Sequence, residues 1–179
     1  MTALFTSFKK RIDEIGLSLG SLLDPDPATH TDTKSQDIIK SYILLCHSEF
    51  EFYFEQIVKS VLDEGMLRAN KGRIKKSYLS SIKAQNKEAN VIIDKNNGIK
   101  FESLKRILGL AGFDASKISG ETYVTKLNEF AKKRGGFAHK GQTGLSTLLC
   151  FSQEKSAIIW LLDETERLVD KYFGKNFNL

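Results

Sequence analysis

The chain has 179 residues, 41% hydrophobic and 27% charged, with thirteen glycines and two prolines. That composition supplies a core and excludes a disordered tail, a Pro-rich linker or a collagen-like chain. The net charge of +5 is uneven: residues 1–67 hold six basic and eleven acidic side chains, and residues 68–106 hold eleven and three.

The first helical pattern is Leu4, Phe5, Phe8, Ile12, Ile15, Leu19 and Leu22, recurring at three- and four-residue steps and ending near Gly20 and the Asp24-Pro-Asp-Pro27 breaker. A polar linker over 24–34 follows, with Thr33 or Ser35 expected to cap the next helix. His30 in that linker is read as incidental. From Lys34 to Glu64 neither Gly nor Pro occurs. Ile39, Ile43, Cys46, Phe50, Phe54, Ile57 and Val61 make one stripe there, and Ile38, Tyr42, Leu45 and Phe52 widen it. A helix of that length spans about 45 Å and suits the centre of a bundle. Gly65 is expected to stop it.

Residues 66–93 read as a further helix or helix pair, closed by the Asn96-Asn97-Gly98 turn. Phe101–Leu110 is a short helix ending at Gly112. Another opens at Ser119/Gly120, carries Tyr123, Leu127, Phe130 and Ala131, and meets Arg134-Gly135-Gly136. The last runs from about Gln153 to Phe173. Thr147–Phe151 is a weak strand candidate. The expected class is all-α: an up-and-down bundle of about five main helices with a short extra one, in a single domain over 1–179 with a basic insert at 66–106. No run of eighteen apolar residues occurs, and the first eleven residues put their charges after apolar ones, so neither a membrane span nor a secretory signal is expected. Cys46 and Cys150 lie in apolar stretches without metal-ligand spacing, which reads as buried thiols in a reducing cytoplasm.

The basic block suits either a solvated helix face or phosphate contacts to a polyanion. One stretch could carry chemistry: Lys132-Lys133-Arg134-Gly-Gly-Phe-Ala-His139-Lys140-Gly141. A guanidinium fits phosphate oxygens as a planar, permanently charged fork. An imidazole exchanges protons near neutral pH. Together they suit phosphodiester cleavage by a ribose 2′-OH, with His139 moving the proton and Arg134 offsetting charge on the phosphorane. The bland alternative is a helix C-cap, with basic residues at the negative end of the dipole and Gly135 as the C′ residue.

The Arg134-Gly-Gly-Phe-Ala-His139 motif, the amphipathic helix Tyr123–Lys133 before it, and the helix Ser41-Tyr-Ile-Leu-Leu-Cys-His-Ser-Glu-Phe-Glu-Phe-Tyr-Phe-Glu55 together resemble the HEPN superfamily. The likeness is strongest to its RiboL-PSP-HEPN branch, found in bacterial defence loci. The resemblance implies a metal-independent endoribonuclease without cofactor, acting as a toxin or antiphage effector. Its products would carry 2′,3′-cyclic phosphate and 5′-OH ends. It also implies a homodimer in which two motifs face each other, RNA as partner, and an antitoxin or defence-system protein as a further partner. Two departures stand out. Many active members carry a polar residue where this chain has Gly135, and members silenced by nucleotidyl transfer carry a Tyr where it has Gly141. The alternative is therefore a non-catalytic HEPN domain that binds RNA or nucleotide, or dimerises.

Lys132, Lys133 and Lys140 are candidate phosphate contacts or dipole-compensating surface. His47 and Glu51, four apart on one helix face, are candidate supporting residues. Glu49, Glu51 and Glu55 form an acidic ridge that could pair with Arg134 or Lys133 and orient the arginine. Trp160 reads as core. Neither a carboxylate cluster for two metals, nor a Gly-x-Ser-x-Gly elbow, nor a Walker loop is spelled, so no metal site is expected.

Overall fold

The structure, a computed structural model, describes residues 3–71, 76–96, 98–114, 120–140 and 148–172; the side chains of residues 68–70, 76–78, 138–140 and 172 lie outside that description. Among the described residues are α1 (Ala3–Gly20), α2 (Thr33–Lys71), α3 (Lys76–Asp94), α4 (Phe101–Leu110), α5 (Glu121–Lys140) and α6 (Phe151–Tyr172), with one 3₁₀ turn at Pro27–Thr29. The class is all-α, as the periodicity predicts. No described helix is long and apolar enough to cross a membrane.

Helix α2 is the axis of the bundle. The expected stripe from Ile39 to Val61 is buried along its length, with Tyr42, Tyr53 and Val58 beside it. At 39 residues it is longer than expected. Gly65 does not stop it, because a glycine inside a helix costs only about 1 kcal/mol against alanine. Its start is capped by Asp32, whose carboxylate accepts the Ser35 amide at 3.0 Å, not by Thr33 or Ser35. Leu45 and Phe52 do not widen the buried stripe. They face solvent.

Helix α1 packs Phe5, Phe8, Ile12 and Ile15 onto α2. Leu22, expected in that stripe, is exposed and Leu23 is buried instead, because the chain turns after Gly20 with the Leu23 amide on the Gly20 carbonyl. A ladder of rings ties three helices together. Phe8 stacks on Tyr53 at 4.4 Å and meets Phe50 edge-on at 4.8 Å, and Phe50 in turn meets Phe130 of α5 at 5.6 Å. Such pairs contribute roughly 0.5–1.5 kcal/mol each beyond their area.

The linker is more ordered than its polarity suggests. His30 is buried, with Nε2 2.7 Å from the Asp24 carbonyl, so it pins the turn. Gln36 donates to the carbonyls of His30 and Leu149 and accepts from the Leu149 amide at 2.9 Å. One side-chain amide thus joins the linker to the segment before α6. Residues 148–150 form no strand, and Phe151 opens α6. Cys46 is buried, and burial pushes its thiol up to about 12. Cys150 is only half-buried, its thiol 3.2 Å from the Ser152 hydroxyl. Trp160 is half-buried as well, with the Lys126 ammonium 4.4 Å above its ring.

Candidate functional site

Helix α5 starts where Gly120 accepts the Val124 amide and turns Tyr123, Leu127, Phe130 and Ala131 inward. It does not end at Arg134. Gly135 and Gly136 have ordinary helical backbone, and among the described residues the positive-φ glycines are Gly98 and Gly112. Phe137, two turns beyond Phe130, is buried and carries the helix past the glycine pair. The C-cap expected at Gly135 is therefore absent. Arg134 and His139 occupy one continuous helix, about 7 Å apart along its axis and about 140° apart around it. Arg134 is half-buried. The side chains of His139 and Lys140 lie outside the described residues.

Across from α5, α2 presents His47, Glu51 and Glu55 at four-residue steps, a row on one helix face. His47 is only 1% exposed, its ring 5.6 Å from that of Phe130. Burial, and then the charge of Arg134, pull its pKa down to about 4, so the imidazole is neutral at pH 7. Glu51 is pushed above the usual carboxylate range by burial and by Glu55, against the opposing pull of Arg134 and of the Gly98 amide that hydrogen-bonds it. Glu55 is raised as well, chiefly by burial, and accepts from the Asn96 side chain at 3.4 Å. His47 Nδ1, Glu51 Oε1 and Asn96 Oδ1 are buried without hydrogen-bond partners. The junction of α2, α5 and the 95–100 turn is thus a polar seam in an otherwise apolar core.

Of the acidic ridge, Glu51 acts on Arg134 through its charge, but among the described residues no carboxylate lies within ion-pair distance of that guanidinium. Glu49 instead holds Arg11 of α1 at 3.3 Å. Lys133 pairs with Glu154 of α6, its Nζ 2.6 and 2.8 Å from the two carboxylate oxygens, so it is tied into the bundle rather than free for phosphate. Lys132 is exposed. An arginine with its fork unclosed beside a neutral histidine can receive an anion.

Sequence reasoning missed Asn96, which is buried and holds the turn by donating to the Gly98 carbonyl at 3.2 Å. An Asn-Asn-Gly turn signal carried no hint of that inward role. Exposed Lys95 and Lys100 flank this turn, and exposed Lys83, Lys87, Lys105 and Arg106 extend the basic surface along α3 and α4. Among the described residues no three His, Cys, Asp or Glu side chains group as metal ligands. A cavity of about 580 Å³ lies elsewhere, between α2, α3 and the end of α4, lined by Val61, Leu62, Met66, Ile82, Ala89 and Leu110.

Among protein families, the model of the RiboL-PSP-HEPN family matches residues 67–175. That span runs from the end of α2 through α6 and takes in the 95–100 turn and Arg134. No curated protein and no solved structure matches the chain.

Proposed function

Since the chain belongs to the RiboL-PSP-HEPN family, by a match over more than half its length, we propose that it is a HEPN-type endoribonuclease that cleaves RNA without metal. Family membership supports an RNA-related role. The catalytic assignment is our own reading. In it, Arg134 clamps the scissile phosphate and offsets charge in the transition state, while His139 moves the proton of the attacking 2′-OH. Lys132 and Lys140 contact the phosphate backbone, and the basic surface of α3, α4 and their turn guides it electrostatically. Lys133, held by Glu154, has no such part. His47 and Glu51 support the arginine from behind. The active form is a cytoplasmic homodimer serving as a toxin or defence effector, restrained by a partner protein.

The observation that carries this reading is the half-buried Arg134, with its charge felt by His47 and Glu51 and no described carboxylate at ion-pair distance. A half-buried guanidinium with no described carboxylate at ion-pair distance keeps donors that an anion can complete. The second reading is an RNA-binding or dimerising domain that does not cut. It is favoured by Gly135, which offers no polar side chain after Arg134, and by the unbroken helix that separates positions 134 and 139 around its axis.

The test is incubation with total RNA and tRNA in EDTA, alongside Arg134→Ala and His139→Ala. Cyclic-phosphate ends from wild type, lost in both variants, support the nuclease. RNA binding that survives His139→Ala, with no cleavage by any form, supports the second reading. Cleavage by wild type that is undiminished in both variants overturns the residue assignment.

A further inference from the structure

The cleft of about 580 Å³ between α2, α3 and the end of α4 is of the size that takes small ligands. Met66, Ile82 and Leu110 line it together with Gly65, Gln85 and Asn86. None of the described lining residues belongs to α5, so the cleft stands apart from the Arg134 motif.

The walls define what fits. Gly65 sits inside α2, where alanine is the better helix former, yet a Cβ added there meets no atom within 4 Å. No turn or close approach requires that glycine, and the missing side chain leaves the cleft wider. No described lining residue carries a charge, so an ionic group placed inside would lose water without gaining a counter-ion. The side-chain amide of Asn90 donates to both the backbone and the side-chain oxygen of Asn86, at 3.1 Å each. The NH₂ of Asn86 is left without a partner among the described residues, and so is the Gln85 amide. The α2 wall runs from Val61 to Met66, about 7.5 Å along the axis. A docked helix anchored at i and i+7 needs roughly 10 Å, so the space suits a small molecule better than a peptide.

We propose that this cleft binds an uncharged, largely apolar small molecule of roughly 20 non-hydrogen atoms that carries a carbonyl acceptor. The apolar body lies between Met66, Ile82 and Leu110, in the room that Gly65 leaves. The thioether of Met66 adapts to its shape, and the carbonyl accepts from the NH₂ of Asn86. The site is independent of the nuclease reading, because neither its walls nor its ligand involves Arg134, His139 or RNA.

The test titrates the full chain into Prodan, a neutral naphthyl ketone whose emission shifts to the blue in an apolar site. Half-saturation is expected near about 100 µM protein. Anilinonaphthalene sulfonate, an anion of similar size, is expected to bind more weakly. Gly65→Leu fills the cleft and is expected to weaken Prodan at least tenfold, with unchanged helical circular dichroism. Asn86→Leu is expected to weaken Prodan about fivefold without weakening N-phenylnaphthylamine, which has no carbonyl. Phe52→Ser, at a 56%-exposed ring elsewhere on α2, is expected to change nothing. Absence of Prodan binding, binding that persists in Gly65→Leu, or loss of binding in Phe52→Ser overturns the site. An anion that binds as tightly as Prodan, or an Asn86→Leu variant that weakens both neutral dyes alike or neither, overturns the ligand class.

Discussion

The imidazole of His47 lies buried in α2 within the field of the Arg134 guanidinium on α5, and burial together with that field holds its pKa at about 4. In the unfolded chain the same group titrates near 6.5. Between those values the unfolded chain binds a proton that the folded chain refuses, so stability falls as pH drops from about 6.5 toward 4. The two and a half units amount to about 3 kcal/mol at most. Urea unfolding at pH 7, 5 and 4 is expected to show this loss in wild type and a clearly smaller one in His47→Leu. Equal losses would refute the assignment.

Glu51 acts with the opposite sign. Its pKa in the folded chain is raised, so the ionised carboxylate costs stability at pH values above the ordinary one, and acid relieves that cost. Glu51→Gln should therefore gain stability relative to wild type at pH 7, with the gain shrinking toward pH 4. A variant less stable than wild type at pH 7 would show that the Gly98 hydrogen bond outweighs the desolvation.

Lys132 and Lys133 are neighbours with different work. Lys133 closes on Glu154, whose side chain is almost wholly buried, so Lys133→Ala leaves a buried carboxylate unpaired. A loss of about 1–3 kcal/mol is expected, partly recovered by adding Glu154→Gln. Lys132→Ala is expected to leave the unfolding midpoint unchanged and to weaken RNA binding, with a shallower salt dependence by about 0.7 in the log–log slope for a single-stranded ligand. Unfolding curves and binding titrations at several salt concentrations separate the two.

The glycines of the motif give a fourth check. Gly135 and Gly136 sit inside α5 with ordinary φ and nothing within 4 Å of an added Cβ. Alanine at either should stabilise by about 0.5–1 kcal/mol. Gly112 also has open space, but its φ of +75° makes Gly112→Ala costly by about 1–2 kcal/mol. Denaturation midpoints that moved the same way in all three variants would contradict the helical path through Gly135.

What was legible in the sequence follows from range. The Ile39–Val61 stripe and the Phe5–Ile15 stripe are set by local periodicity, and both are buried as predicted. The two glycine boundaries, at Gly65 and Gly135, failed for a common reason: propensity is a small term, and packing of residues farther along decides the end of a helix. Phe137, seven residues after Phe130, was the available signal that α5 goes on. The partners of Lys133 and Glu49 lie 21 and 38 residues away on other helices, so no spacing rule could select them from the acidic ridge. Leu45 and Phe52 were assigned inward because apolar residues near a stripe usually widen it. Their exposure emerges only when α1 and α5 take the flanking faces.

The last check concerns the direction of one hydrogen bond. Tyr123 of α5 and Thr165 of α6 place their hydroxyl oxygens 2.9 Å apart in the core. Thr165 already donates its proton to the Leu161 carbonyl at 2.7 Å, so Tyr123 must be the donor between them. The two deletions then differ. Tyr123→Phe removes a donor and leaves Thr165 still bonded to Leu161, for a loss of about 1 kcal/mol. Thr165→Val keeps the shape but strands the tyrosine hydroxyl in a site where burial holds its pKa well above the ordinary value, for a loss nearer about 2–3 kcal/mol. In the double variant no polar group is left unpaired, so it should be no less stable than Thr165→Val alone. Urea unfolding of the four forms closes the cycle; a double variant as costly as the sum of the singles would mean that the bond is not formed, and a Tyr123→Phe loss as large as that of Thr165→Val would contradict the direction.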